Sequence, residues 1–196
     1  MSKRITDLRW QEAQKAEREC HDRFLAKAGE EGVMMHYSQT YAYYFKYLDI
    51  IQNQKGKTIV EIGCADFPAL QWCDNMNGIL VEPLPSPILT ELVKHRIDLE
   101  LISKRVEDID LPECDEIWLL NVLQHVLDPD LFIEKCKEAA PVIRFFEPID
   151  WPIEIYHPHT FDFEYFQGHF PEAKRYTGDV AEFHTANCAY GIWNRC

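Results

Sequence analysis

The sequence predicts an α/β fold built on a doubly wound, mostly parallel sheet, because short apolar runs alternate with helical segments along most of the chain. Each run is continuously apolar rather than alternating, as is typical of strands buried on both faces. The runs are KTIVEIG (57–63), GILVEP (78–83), LELIS (99–103), EIWLLN (116–121) and PVIRFFEP (141–148). Strands that alternate with helices in this way favour a parallel sheet.

Helices are predicted between these runs at about 67–76, 86–96 and 129–140. The last of them should begin with Asp128 as N-cap and Pro129 at the first helical position. Further along, a short helix is expected to be capped by Thr160 and to end near Gly168. The stretches AKRYTG and FHTANCAYGIW then predict an antiparallel strand pair that closes the edge of the sheet.

Two helical segments are predicted ahead of the first strand. Residues 4–30 carry alternating charges and only a weak apolar stripe, so this helix is expected to be solvated and to end at Gly29 and Gly32. The next helix, at 33–53, is expected to end at Gly56 and to pack one aromatic face on another surface. That face consists of Met34, Tyr37, Tyr41, Tyr44, Leu48 and Ile51.

Length and composition favour one domain over residues 1–196, with a helical cap at 1–55 and the α/β core at 56–196. Lys plus Arg number 20 against 33 Asp plus Glu, and the resulting net charge of -13 disfavours duplex nucleic acid as a partner. No stretch approaches the ~18 apolar residues of a membrane span, and the first residues lack a signal-peptide core. We therefore expect a soluble, cytoplasmic chain with no membrane partner.

The cysteines are scattered and odd in number. The chain has 7 of them, never spaced C-x-x-C, which argues against a disulfide framework and a zinc knuckle. We therefore expect no metal site, and most of the thiols should be small buried side chains.

The stretch VEIGCADFPAL (60–70) follows the first predicted strand, where an open α/β sheet binds its ligands. A dinucleotide fingerprint would need three glycines, but its register gives Gly63, Ala65 and Pro68. The acid Glu82 ends the next strand and is placed to accept hydrogen bonds from a ribose diol. These features favour a nucleoside ligand without a pyrophosphate.

In these segments the chain resembles the class I, Rossmann-like S-adenosylmethionine (SAM)-dependent methyltransferases. VEIGCADFPAL is similar to the acidic, glycine-rich first motif of that family, and LVEP to its ribose-binding segment. SKRVEDIDLP is similar to the turn after strand three, and WLLNVLQHVLDP to strand four and the helix start that follows. The resemblance spans roughly 57–150, while 170–193 is compatible with the final antiparallel strands of the family. It implies a Rossmann-like fold with SAM as cofactor.

The resemblance also implies residue roles. Glu61 would lie near the methionine amino group or orient the turn, Glu82 would bind the ribose hydroxyls, and Val106 would supply a backbone amide and an apolar surface to the adenine. Ala65 and Phe67 stand where members commonly carry glycine, and Arg105 where many carry an acid that holds the adenine amino group. The cofactor-binding candidates are Tyr37, Glu61, Gly63, Cys64, Ala65, Glu82, Pro83, Val106, Asn121 and Val122. For Tyr37, a lid over the cofactor and packing in the core both stay open.

Candidate catalytic residues lie after the fourth and fifth strands. His125 is expected near the mouth of the crevice, where an imidazole suits a general base that removes a proton from a nucleophile. His157 and His159 lie in a loop rich in polar and aromatic residues, which favours substrate contacts or a second candidate base. Their spacing alone is poor evidence for a metal site. Asn121 either meets the ligand or caps the turn that it begins.

Three functions compete on this evidence. The first is SAM-dependent methyl transfer to an O or N nucleophile of a small molecule. The second is a catalytically inactive domain that binds SAM or a partner, and the third is an NAD-linked oxidoreductase on a similar sheet. The charge-laced first helix is compatible with a homodimer as well as with a monomer.

Overall fold

The computed structural model describes residues 4–178 and 187–195, which form a seven-stranded sheet flanked by helices. The strands, in chain order, are β1 (Thr58–Ile62), β2 (Asn77–Val81), β3 (Leu99–Ile102), β4 (Glu116–Leu120), β5 (Val142–Ile149), β6 (Lys174–Thr177) and β7 (Asn187–Asn194). Their order across the sheet is β3-β2-β1-β4-β5-β7-β6. The first five are parallel, and β7 pairs antiparallel with both β5 and β6. The predicted fold class is confirmed, and residues 183–186 of the last predicted strand lie outside the described residues.

The helices are α1 (Asp7–Tyr47), α2 (Pro87–His95), α3 (Pro129–Ala139) and α4 (Phe163–His169). Helix α3 begins as predicted, since the Asp128 side chain accepts a hydrogen bond from the Leu131 amide at 3.2 Å. The prediction of a Thr160 cap for α4 is wrong. Asp162 caps that helix, because its carboxylate accepts from the Tyr165 amide at 2.8 Å, while the Thr160 hydroxyl donates to the Trp151 carbonyl.

The helix predicted at 67–76 is wrong as well, since only one 3-10 turn, Ala69–Trp72, forms there. Pro68 disfavours helical backbone at the residue before it and starts the turn in extended conformation. The Glu61 carboxylate then accepts hydrogen bonds from the amides of Ala69 at 2.7 Å and Leu70 at 2.9 Å. The buried carboxylate thus supplies acceptors for the first amides of the turn, which have no partner within the turn itself.

Helix α1 is broken at Gly29, whose backbone angles (φ 71°, ψ 166°) lie in a region open almost only to glycine. We call residues 7–28 the first arm and residues 30–47 the second arm. The predicted break at Gly29 is confirmed, whereas Gly32 continues the helix, and the second arm ends at Tyr47 rather than at Gly56.

Two apolar layers enclose the sheet. On one face, the second arm and α2 pack against strand residues that include Ile59, Leu80, Trp118 and Phe146. On the other face, α3 and α4 cover strand residues that include Val60, Ile79, Ile117 and Phe145. Neighbouring residues of one strand thus point to opposite faces, as the pleat requires.

The predicted aromatic face of the second arm is confirmed in its centre and wrong at its ends. Tyr37, Tyr41 and Tyr44 are buried, but Met34 and Ile51 are exposed. Ile51 points outward because the helix has ended before it is reached.

The strand order reverses between β1 and β4, since β2 and β3 lie on one side of this pair and β5 on the other. In an open α/β sheet, the loops that follow such a pair diverge and leave a crevice at the carboxyl ends of the strands. Here those loops are residues 63–68 and 121–128. They fix where a ligand can bind.

The broken helix generates a first prediction. Gly29→Ala places a side chain where no atom lies within 4 Å but where φ is +71°, so the cost is conformational and should be ~1–3 kcal/mol of unfolding free energy. Gly168→Ala is the matched control, because its added Cβ also meets nothing within 4 Å and its backbone is helical. Urea unfolding followed by circular dichroism should show a clear loss for Gly29→Ala and a change within ~1 kcal/mol for the control. Equal stability of both variants would contradict the strain at Gly29.

Candidate functional site

A cavity of about 940 Å³, counting the part that opens to solvent, lies at the carboxyl ends of β1, β2 and β4. Most predicted site residues line it, namely Tyr37, Gly63, Cys64, Ala65, Glu82, Pro83, Val106, Asn121, Val122 and His125. Glu61, His157 and His159 are not among the lining residues.

The turn after β1 approaches the loop after β4 too closely for a side chain at Gly63. A Cβ there would lie 2.3 Å from Cγ2 of Val122, and the backbone has a φ of +71°. Ala65 is also left-handed, with a φ of 49°. Only glycine meets both demands at position 63, so this turn lets the backbone itself form the cavity wall.

Beneath that turn, the Glu61 side chain is buried and accepts hydrogen bonds from the amides of the 3-10 turn. Burial raises its pKa to about 7, although these backbone hydrogen bonds oppose the shift. The geometry matches the turn-orienting alternative of the two roles considered for Glu61. Its contact with a cofactor stays a prediction.

Glu82 follows β2 and joins the two loops that border the cavity. One carboxylate oxygen accepts from the Ala65 amide at 3.2 Å and the other from the Leu84 amide at 3.0 Å. Burial raises the pKa of Glu82 to about 7, against the effect of the Leu84 and Ala65 amides. Since a carboxylate has about four lone-pair positions, acceptor capacity remains for two hydroxyl groups of a ligand.

The loop after β4 depends on Glu147, for which the sequence suggested no structural role. Its carboxylate is buried and accepts from the amides of Val122 at 3.0 Å and Leu123 at 3.1 Å. Burial raises the pKa of Glu147 to about 8 in spite of these two amides. Asn121 precedes them with a φ of 62°, and its side-chain oxygen accepts from the Gln124 amide group at 2.7 Å. The side-chain NH₂ of Asn121 has no partner within residues 4–178 and 187–195 and is thus available to a ligand.

One face of the first arm of α1 covers the cavity, so the prediction of a solvated first helix is wrong for that face and holds for the outer one. Sequence reasoning missed its lining residues, which are Trp10, Gln14, Glu17, Arg18 and His21. The indole NH of Trp10 donates to the His125 carbonyl at 3.0 Å, and the Gln14 amide group donates to the same oxygen at 3.3 Å. A helix presents residues at i, i+4, i+7 and i+11 on one face. The lining positions 10, 14, 17 and 21 have that spacing, but their polar character concealed the buried face.

Asp66, from the turn after β1, holds the far end of the first arm. Its carboxylate lies 3.0 Å from the Arg18 guanidinium and 3.6 Å from the His21 ring. Burial opposes ionisation, but hydrogen bonds from His21 and Ser86, together with Arg18, lower the pKa of Asp66 to about 2. Arg18 also donates to the Leu84 carbonyl, so one side chain ties the arm to both loops beside Glu82.

The near end of the arm is held by Arg105. This guanidinium lies 2.6 Å from Asp7 and 2.7 Å from Asp108 and stacks over the Trp10 ring at 5.0 Å. The adjacent Glu107 accepts from the Leu127 amide at 2.7 Å. These contacts of Arg105 fix the near end of the arm. In the family that the sequence resembles, many members carry an acid for adenine at this position.

The three candidate histidines lie in different environments. His125 lines the cavity, and its Nδ1 is 3.1 Å from Oε2 of Glu17. The His157 ring contacts the His125 ring at 4.8 Å between centroids, and burial, followed by the effect of His125, lowers its pKa to about 3. His159 is buried, with Nε2 2.8 Å from the Val126 carbonyl. Of these three histidines, only His125 lines the cavity.

Within residues 4–178 and 187–195, no group of three or more His, Cys, Asp or Glu side chains could hold a metal ion. No helix among them is long and apolar enough to cross a bilayer.

Comparisons based on sequence found no matching family model and no matching curated protein. Solved structures, in contrast, match most of the chain. The complex of the Haloferax volcanii Trm112 methyltransferase activator with a proposed methyltransferase matches with a TM-score of 0.62 at 14% identity, over 89% of this chain and 96% of that one. The plantazolicin methyltransferase BpumL, in complex with S-adenosylhomocysteine (SAH) and a desmethylplantazolicin analogue, matches with a TM-score of 0.59 at 12% identity, over 96% of each chain.

A proposed RNA methyltransferase from Pyrococcus horikoshii matches with a TM-score of 0.51 at 13% identity, over 83% of this chain and 84% of that one. These likenesses lie far below the identity at which activity could be transferred. They show that the chain has the class I, Rossmann-like methyltransferase fold that the sequence resemblance implied.

The buried carboxylate under the loop after β4 generates a second prediction. Because the pKa of Glu147 is raised to about 8 from 4.5, the folded chain holds a proton that the unfolded chain has lost between these pH values. Stability contributed by this group therefore falls as pH rises from about 4.5 to about 8, with a slope of at most ~1.4 kcal/mol per pH unit. Glu147→Gln should flatten the dependence of unfolding free energy on pH between 5.5 and 8.

Urea unfolding at several pH values measures this slope. Glu134→Gln is the matched control, because it removes the same charge from an exposed position on α3. The control should keep the slope of the wild type. If Glu147→Gln also keeps that slope, Glu147 is ionised in the folded chain and the assignment is wrong.

Proposed function

We propose that the chain is a SAM-dependent methyltransferase that transfers a methyl group to an O or N nucleophile of a small molecule. One observation carries the proposal. Glu82 and the left-handed turn at Gly63 and Ala65 line the same cavity, and this cavity lies where the strand order reverses. That position is where α/β sheets bind nucleosides. The solved structures of the same fold, some with SAH bound, support it.

The lining residues fit an adenosyl ligand. Glu82 has acceptor capacity for the two hydroxyls of a ribose, and the backbone at Gly63 can approach the ligand without a side chain between them. Val106 offers a buried apolar surface after β3 for an adenine ring. Asn121 can donate a hydrogen bond to the methionine portion. With one glycine at the turn, the site has no cradle for a pyrophosphate, which disfavours the NAD-linked alternative.

SAM, when bound, supplies an electrophilic methyl group on a sulfonium, and transfer leaves the carbon–sulfur electron pair on the sulfur. The task of the protein is to hold the acceptor in line at near-attack distance and to exclude water. The first arm of α1 serves the second purpose, since it crosses the cavity from Trp10 to His21. His125, at the cavity wall, takes the proton that an O–H or N–H acceptor must lose.

The first arm over the cavity and the net charge of the chain both favour a small methyl acceptor over a macromolecule. The first arm lies over the cavity and is held at both of its ends, by Arg105 and by Asp66. A net charge of -13 disfavours contact with a phosphate backbone.

The direct test is isothermal titration of the purified chain with SAM, SAH and NAD. We expect micromolar binding of the two adenosyl ligands and none of NAD. Because Glu82 has a pKa of about 7 and its ionised form accepts ribose hydrogen bonds, SAH affinity should rise about tenfold between pH 6 and pH 8. Glu82→Gln should lose this pH dependence and weaken binding by about 10- to 100-fold, since hydrogen bonds to a charged group contribute ~1.5–3 kcal/mol.

Glu134→Gln is again the control and should bind like the wild type. Absence of adenosyl binding in the wild type would refute the proposal, and binding of NAD alone would favour the oxidoreductase. Release of SAH from SAM in the presence of hydroxyl and amine acceptors then separates an active enzyme from an inactive SAM-binding domain.

A further inference from the structure

The environment of His125 determines which of its ring nitrogens carries the proton. Nδ1 lies 3.1 Å from Oε2 of Glu17 and 3.1 Å from the backbone carbonyl of Tyr156. Both neighbours can only accept a hydrogen bond when Glu17 is ionised, so Nδ1 must donate. The neutral ring therefore has its proton on Nδ1 and its lone pair on Nε2.

The opposite nitrogen is available to the cavity. Within residues 4–178 and 187–195, Nε2 of His125 has no hydrogen-bond partner, and it is not among the buried atoms that lack one. His125 lines the cavity, so the accessible nitrogen can reach a ligand there. His157 differs, because its Nδ1 is sealed from solvent, has no hydrogen-bond partner among the described residues and lies 3.9 Å from Oε2 of Glu154.

We infer that Glu17 is a positioning residue that fixes the proton of His125 on Nδ1 and keeps Nε2 as the base that receives the proton of the methyl acceptor. The proton of the acceptor moves to Nε2, and the electron pair that it leaves on the O or N atom forms the bond to the methyl carbon. The carbon–sulfur bond breaks with its pair on sulfur, and the imidazolium later loses its proton to solvent. The inference rests on the proposed function of the site.

Other groups around the ring support the same orientation. The Glu17 side chain is 23% exposed, and the Gln14 amide group lies 3.4 Å from its Oε2. Burial disfavours the imidazolium, but Glu17, together with Glu147 on β5 and the Tyr156 carbonyl, outweighs it and raises the pKa of His125. Burial likewise opposes ionisation of Glu17, while His125, His21 and His157 lower its pKa. Both members of the pair thus favour the charged form of the other.

The pair is assembled from distant parts of the chain. Glu17 belongs to the first arm of α1, whereas His125 follows β4, and the arm reaches it through hydrogen bonds from Trp10 and Gln14 to the His125 carbonyl. The contact between Glu17 and His125 therefore depends on the arm lying over the cavity.

The test is nitrogen NMR of the full chain labelled with ¹⁵N-histidine, with His125→Gln to assign the signal. In the wild type, the neutral His125 ring should be the Nδ1–H tautomer. Glu17→Gln should lower the pKa of His125 by ~1–3 units, the shift expected when an adjacent opposite charge is removed. Glu17→Asp should recover part of the shift, since it restores the carboxylate on a shorter stem.

Glu12→Gln is the matched control, because Glu12 is exposed on the same arm and carries the same charge. It should leave the tautomer and the pKa of His125 unchanged. An Nδ1-deprotonated ring in the wild type would overturn the inference, as would a pKa shift in Glu17→Gln no larger than in the control. If Glu17→Gln does not fold, Glu17→Asp supplies the comparison of the His125 pKa with the control.

Failure of the inference is distinguishable from failure of the proposed function. The NMR experiment needs no cofactor and reports only on the Glu17–His125 pair. Titration with SAH reports on the cavity as a whole. Adenosyl binding with the wrong tautomer would remove the role of Glu17 alone, whereas the correct tautomer without adenosyl binding would remove the methyltransferase proposal.

Discussion

The site depends on buried carboxylates that accept backbone N–H groups at the carboxyl edge of the sheet. Glu61 holds the turn after β1, Glu82 joins the loops after β1 and β2, and Glu147 holds the loop after β4. A loop that leaves a parallel strand and must stay close to a ligand has few carbonyls of its own to satisfy these amides. Each buried carboxylate accepts these hydrogen bonds in place of backbone carbonyls. Backbone can therefore form the cavity wall.

This arrangement has an energetic cost that is visible in the ionisation of the same groups. Burial raises the pKa of Glu61 and Glu82 to about 7 and of Glu147 to about 8, because the amides only partly replace the hydration of a carboxylate. By contrast, burial at Asp66 is outweighed by His21, Ser86 and Arg18, and its pKa falls to about 2. The carboxylate that fixes the arm is thus firmly charged, while those beneath the loops lie close to their titration range at neutral pH.

The sheet was predictable from the sequence because four of its five parallel strands, β1, β2, β4 and β5, are largely buried on both faces, which leaves a clear run of apolar residues. The positions of Gly63 and Glu82 at the cavity were also predictable, since each residue directly follows the end of a strand. The turn at 69–72 was not, because its first amides are held by the Glu61 carboxylate, which belongs to another element. Likewise the capping choice between Thr160 and Asp162 is decided by which side chain the Trp151 carbonyl engages.

The first arm of α1 shows why a polar helix is difficult to place from sequence alone. A helix that packs on an apolar core must carry an apolar stripe, but a helix that covers a site for a polar ligand must offer polar groups at the same spacing. Gln14, Glu17 and His21 therefore appear solvated in the sequence although they face the cavity. The arm is packed through the buried Ala13 and attached through the hydrogen bond of Trp10. It is oriented by the ion pairs of Arg18 and Arg105. Since the same arm supplies Glu17, a change that loosens its ion pairs acts on the proton position of His125 without touching the ring.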